Sequence, residues 1–165
     1  MQLVFLVGIF FAFVALGMYI YLAYKSRKVF FENIVAFCDH LSIEISFSKN
    51  VILQVIERYN KSYSRNFQIV LDGYSKLLLE KQDITHASIK KLMWNRLKPH
   101  ESAIVTEFFY ELGRHGASEE NEKLSNKKIQ FDDFLKTSTQ AVRREASIYM
   151  KICIILGIAM VILLI

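Results

Sequence analysis

Apolar residues are distributed along this chain in two different ways. Residues 3–24 and 152–165 contain no Asp, Glu, Lys, Arg or His. Between them, apolar positions recur at steps of three and four, the period of an amphipathic helix. The first apolar run covers the roughly 20 residues that a bilayer span requires. No Lys or Arg precedes it and no small-x-small site follows it, so it reads as a retained span, not a cleavable leader. Tyr19, Tyr21 and Tyr24 stand at its inner end, where amphipathic rings favour the headgroup layer. The second run reaches span length once residues 147–151 are counted, with the Lys151 ammonium extending to the interface.

The middle of the chain predicts helices throughout. Phe30, Ile34, Phe37, Leu41 and Ile45 form one stripe over residues 27–47, in a helix continuing out of the first span. Asn50 is the expected cap of a second helix with Val51, Ile52, Val55, Ile56 and Tyr59 inward. Ser64 caps a third, carrying Phe67, Val70, Leu71, Tyr74, Leu77 and Leu78, and Thr85 a fourth, with Ile89, Leu92, Met93 and Trp94. Pro99 opens a fifth helix, bearing Ile104, Val105, Phe108, Phe109 and Leu112, which ends at Gly113. Ser118 is the expected cap of a long last helix, where Glu119, Glu120 and Glu122 complement the positive end of the helix dipole. Its stripe of Leu124, Phe131, Leu135, Ser138, Val142 and Glu145 thins toward the second span. The expectation is an all-α protein, a six-helix antiparallel bundle flanked by transmembrane helices. The expected parts are a span at 3–24, a domain at 25–147 and a span at 148–165.

Charge orients this arrangement. Lys25, Arg27 and Lys28 follow the first span, and Arg143, Arg144 and Lys151 precede or open the second. Lys and Arg close to a span favour the cytoplasmic side, so the middle domain is expected in the cytoplasm. The net charge of +5 does not point to nucleic acid. Once those six cations are set aside, the remainder of the 21 Lys and Arg falls just below the 16 Asp and Glu, with no basic stripe on one helix.

Motifs that carry chemistry are missing from the sequence. There is no Gly-rich phosphate loop, no H-E-x-x-H, no cysteine pair at metal spacing and no nucleophile elbow. His40, His86, His100 and His115 fall in separate segments, and Asp132 and Asp133, being adjacent, point apart on a helix. Cys38 reads as a small buried thiol and Cys153 lies in the second apolar run; neither is placed for a structural disulfide. In the first span, Gly8 and Ala12 give one small-xxx-small spacing, while Gly17 stands apart. No catalytic, metal or cofactor site is expected.

Several segments, taken in order, resemble the stage III sporulation protein AB family. They are the N-terminal span with its basic exit, Phe37-Cys38-Asp39-His40-Leu41-Ser42-Ile43-Glu44-Ile45-Ser46-Phe47, Glu107-Phe108-Phe109-Tyr110-Glu111-Leu112-Gly113-Arg114-His115, and the terminal apolar run ending Ile-Leu-Leu-Ile. Where the family usually has a proline after the Glu-Ile helix this chain has Val51, and where it has an aspartate after Leu-Gly this chain has Gly116. The helical domain is similar in turn to the platform proteins of type II secretion and type IV pilus machines. The resemblance implies a subunit of the channel complex in the mother-cell membrane around the forespore. It further implies contacts with a secretion-type ATPase and with other membrane subunits.

The residues themselves lead to a non-enzymatic adaptor whose two anchors hold one face of the bundle at a fixed height. Glu44, Arg114 and His115 are the expected partner contacts, and Gly113 the residue the tip turn depends on. Alternatives are a platform subunit outside sporulation and a pore-forming, homo-oligomeric subunit. The lack of any charged residue in the first span counts against a polar conduction path.

Overall fold

The computed structural model describes residues 2–43, 49–80, 84–114 and 117–164. Among the described residues the chain is helical and carries no strand. The helices are α1 (Gln2–Ile43), α2 (Lys49–Tyr59), α3 (Arg65–Leu79), α4 (His86–Leu92), α5 (Pro99–Glu111), α6 (Ala117–Ala141) and α7 (Ser147–Leu164). A π-helical segment, Val142–Ala146, joins α6 to α7. Ala141 and Ser147 both keep right-handed helical dihedrals, so α6 and α7 form a single helical run. The six helices expected from the sequence are therefore present, the first and last each carrying an apolar segment.

Two compact units divide the chain: residues 1–28 with 136–165, and Val29–Leu135. In the second unit, the α1 stripe of Phe30, Ile34, Phe37 and Leu41 is wholly buried, while Ile45 lies outside the described residues. Aromatic rings dominate this core. Phe37 meets Tyr63, Phe67 and Phe108 edge-on and stacks with Phe109, their centroids 6.0–6.5 Å apart. Phe30 meets Phe67 edge-on and stacks on Trp94. Such pairs add about 0.5–1.5 kcal/mol each beyond the burial of their area.

Local chemistry explains the helix limits. Thr85 and Ser88 cap α4 reciprocally: the Ser88 N–H donates to Thr85 Oγ1 at 3.1 Å and the Thr85 N–H to Ser88 Oγ at 3.0 Å. Pro99 occupies the first turn of α5, where Glu101 accepts from the Lys98 N–H at 3.0 Å. Ser64 sits at the cap position of α3, but its hydroxyl caps nothing; its N–H donates instead to Asn33 Oδ1 of α1 at 2.5 Å. Two expected caps are corrected. α2 begins at Lys49 and α6 at Ala117, so Asn50 and Ser118 lie inside first turns.

Two helical runs, Phe5–Ile43 and Glu119–Leu164, contain windows long and apolar enough to cross a bilayer. Only 6% and 11% of those windows is buried in protein, unlike the core helix of a soluble domain. The apolar parts of α1 and α7 pack antiparallel. Phe10 and Phe13 face Gly157, Gly17 faces Cys153, and Tyr24 stacks on Tyr149. A Cβ on Gly17 would stand 3.1 Å from Cys153 Cβ, and one on Gly157 3.2 Å from Phe13 Cβ. At either position a side chain would make its neighbour give by a few tenths of an ångström, so glycine suits the close approach. Gly8, by contrast, faces open space.

The inward stripe near this junction differs from the expected one. Ala141 and Ala146 are buried, whereas Val142 is half-buried and Glu145 is exposed. The π-helical turn takes in one extra residue, so the next buried position after Ala141 comes five residues on instead of four. The Glu145 carboxylate lies beside the Tyr24 hydroxyl.

Candidate partner-binding site

The turn after α5 gathers the second unit's most distinctive polar groups. Gly113 has φ 78°, a left-handed conformation that an L side chain resists. Its N–H donates to Glu120 Oε1, 2.5 Å away in the first turn of α6. Glu120 is buried, so its carboxylate is committed to this turn and not simply solvated at a helix start. Glu119, expected only as a helix-start carboxylate, also pairs with Lys123 one turn on.

Arg114 is exposed and held from two directions. Its Nη2 donates to the Ile84 carbonyl at 2.9 Å, and its guanidinium carbon lies 3.9 Å from the centroid of the Tyr110 ring. The His86 ring stacks on that same tyrosine at 3.8 Å. Tyr74 lies buried beneath, and burial raises its phenol above the ordinary value of 10.0. The Glu120 charge adds to that rise, while the Arg114 charge opposes it. A guanidinium carries five donors in a fixed fork. Arg114 has one bonded to Ile84 and presents the fork at the surface, geometry suited to a carboxylate.

Of the expected contact residues, Arg114 stands on this turn, next to Gly113, the expected turn residue; Glu44 and His115 lie outside the described residues. Tyr110, His86 and Glu120 were not anticipated. The spacing of Tyr110 and Arg114, four residues apart, is the one local signal that points to the ring contact.

A family model described as stage III sporulation protein AB matches residues 2–165. The chain belongs to this family. No curated protein and no solved structure matches it. Membership in the stage III sporulation protein AB family assigns the chain a sporulation role and spans both bilayer-length helices as well as the helical unit between them. The basic groups beside those helices differ in exposure. Lys25, Arg143, Arg144 and Lys151 are exposed and Lys28 is half-buried, whereas Arg27 is buried.

Two further polar groups are structural. His40 stacks on Tyr59 at 3.7 Å and hydrogen-bonds the Tyr63 hydroxyl at 2.6 Å. Cys38 is buried, and burial pushes its thiol well above its ordinary value, which leaves it a small core residue.

Proposed function

We propose that this stage III sporulation protein AB family member is a non-enzymatic, membrane-anchored adaptor of the mother-cell-to-forespore channel complex. Its helical domain, residues 25–147, faces the cytoplasm and presents the Arg114 tip to a secretion-type ATPase. The spans at 3–24 and 148–165 meet the other membrane subunits. The observation that carries this reading is a family match running through both bilayer-length helices and the helical unit together. The orientation rests on the exposed cations Lys25, Arg143, Arg144 and Lys151 beside the spans. The rigidly held Arg114 guanidinium supports a protein contact, because a preorganised fork loses little freedom when it meets a carboxylate.

The test is an in-frame deletion in the source organism, scored by microscopy. Forespores that complete engulfment and then stall or shrink are expected. Normal, heat-resistant spores would remove the channel assignment and leave a secretion platform outside sporulation.

A further inference from the structure

Between α4 and α5 lies an open groove of about 470 Å³, within the size range of ligand sites. Its origin is local. Ala87 on α4 and Ala103 on α5 are both small, and Pro99 contributes a short ring, so the two helices leave the space between them unfilled. Each helix then offers two polar side chains one turn apart: His86 and Lys90 from α4, Ser102 and Thr106 from α5.

Two observations show that the groove is incomplete on its own. Thr106 is 5% exposed and lines the groove, yet its hydroxyl has no hydrogen-bond partner among the described residues. A buried hydroxyl without a partner carries a desolvation penalty that a ligand acceptor removes. Lys90 is exposed and makes no ion pair among the described residues. The one acid among the described residues lining the groove, Glu107, is already bound to Lys127. The uncommitted polar capacity is therefore cationic and donating, above an apolar floor.

We infer that the α4–α5 groove docks a partner protein segment in which a carboxylate stands beside an apolar side chain. The apolar side chain fills the space over Ala87 and Ala103, and the carboxylate accepts from Lys90 Nζ and, once the Thr106 side chain rotates to bring its buried hydroxyl out to the groove, from Thr106 Oγ1. This rests on the adaptor reading and names the chemistry of its partner. His86 belongs both to this groove and to the Tyr110–Arg114 cluster, so the groove and the tip form one continuous docking surface.

The test uses the full chain in phosphatidylcholine nanodiscs and two pools of fluorescein-labelled hexapeptides. One pool carries Asp or Glu next to Leu, Ile or Phe; the other replaces the acids with Asn or Gln. Fluorescence anisotropy should show the acidic pool binding at least about tenfold more tightly, equivalent to one charge-assisted hydrogen bond. Lys90→Glu should abolish the preference, and Thr106→Val should weaken binding about three- to tenfold. Thr106→Val nearly preserves shape and removes an unbonded hydroxyl, so folding does not confound it. Lys91→Glu, one residue outside the groove, should change nothing. Equal binding of the two pools, no binding, or indifference to both variants would overturn the proposal. Displacement of the peptides by phosphatidylglycerol vesicles would overturn it too, by assigning the groove to lipid phosphate. If the peptides fail while the deletion strain still stalls after engulfment, the docking proposal falls and the adaptor reading stands.

Discussion

Replacing Glu120 with alanine isolates the interaction that fixes the tip turn. The carboxylate is buried and accepts the Gly113 N–H at 2.5 Å. A hydrogen bond to a charged group contributes about 1.5–3 kcal/mol, and alanine also leaves the partly buried amide without an acceptor. At about 1.4 kcal/mol per factor of ten, this corresponds to a roughly 10- to 100-fold faster exchange of the Gly113 amide with solvent. Glu120→Gln keeps an acceptor but not the charge. Neutral bonds are about half as strong, so the expected acceleration is several-fold, roughly the square root of the alanine effect. Gly113→Ala probes the other half of the turn. It places a Cβ in the left-handed region at a cost of about 1–2 kcal/mol while retaining the amide that bonds Glu120. The assay is native-state hydrogen exchange on the full chain in nanodiscs, read at the peptide containing Gly113, with thermal melts in parallel. Equal exchange in wild type and Glu120→Ala would refute the assignment. So would a Glu120→Gln variant that exchanges like wild type, because charge would then contribute nothing.

Three further expectations follow from other parts of the molecule. Gly17→Cys should form an intrachain disulfide with Cys153 on mild oxidation in membranes, once α1 and α7 part by a few tenths of an ångström from the 3.1 Å Cβ–Cβ approach to the roughly 3.5–4.5 Å of a disulfide. Peptide mass spectrometry checks this, and only interchain products would contradict the antiparallel packing of α1 and α7. Lys128 donates to Asp39, which holds its pKa above the ordinary 10.5. The pair's contribution is therefore complete below that value and lost as pH rises through the folded-state pKa, and being only half-buried it amounts to under about 1 kcal/mol. Melting curves of wild type and Lys128→Met should accordingly converge at strongly alkaline pH and differ near neutrality. Finally, Cys38 should resist thiolate-directed reagents in the native protein and react on unfolding; rapid native labelling, quantified by mass shift, would contradict its burial.

Features that depend on neighbours in sequence were legible from the sequence. The α1 stripe from Phe30 to Leu41, the Thr85 cap, Pro99 at the start of α5 and the left-handed Gly113 each express a rule that operates within one turn. Features that depend on a partner elsewhere were not. Glu120 reads locally as a helix-start carboxylate, and only the folded turn shows that its acceptor is spent on Gly113. Ser64 has the right identity for a cap, but Asn33 reaches its N–H from α1. The α4–α5 groove arises from two alanines on different helices, whose facing positions no single-helix pattern encodes. Val142 and Glu145 were misplaced for another reason: a strict 3.6-residue count carries the wrong phase through a π-helical turn.

That extra residue also determines which deletions the chain can absorb. Ser138, Ala141, Ala146, Cys153 and Gly157 share the buried side only because Val142–Ala146 holds one residue more than an α-helical turn does. Removing one residue there, for example the exposed Arg144, converts the segment to ordinary α-helix and leaves Cys153 and Gly157 still aimed at α1. Removing one residue between Ala146 and Cys153 instead turns everything beyond it by about 100°, carrying Cys153 and Gly157 off that side. A one-residue deletion scan across 138–157 should therefore show a single island of tolerance, coinciding with Val142–Ala146.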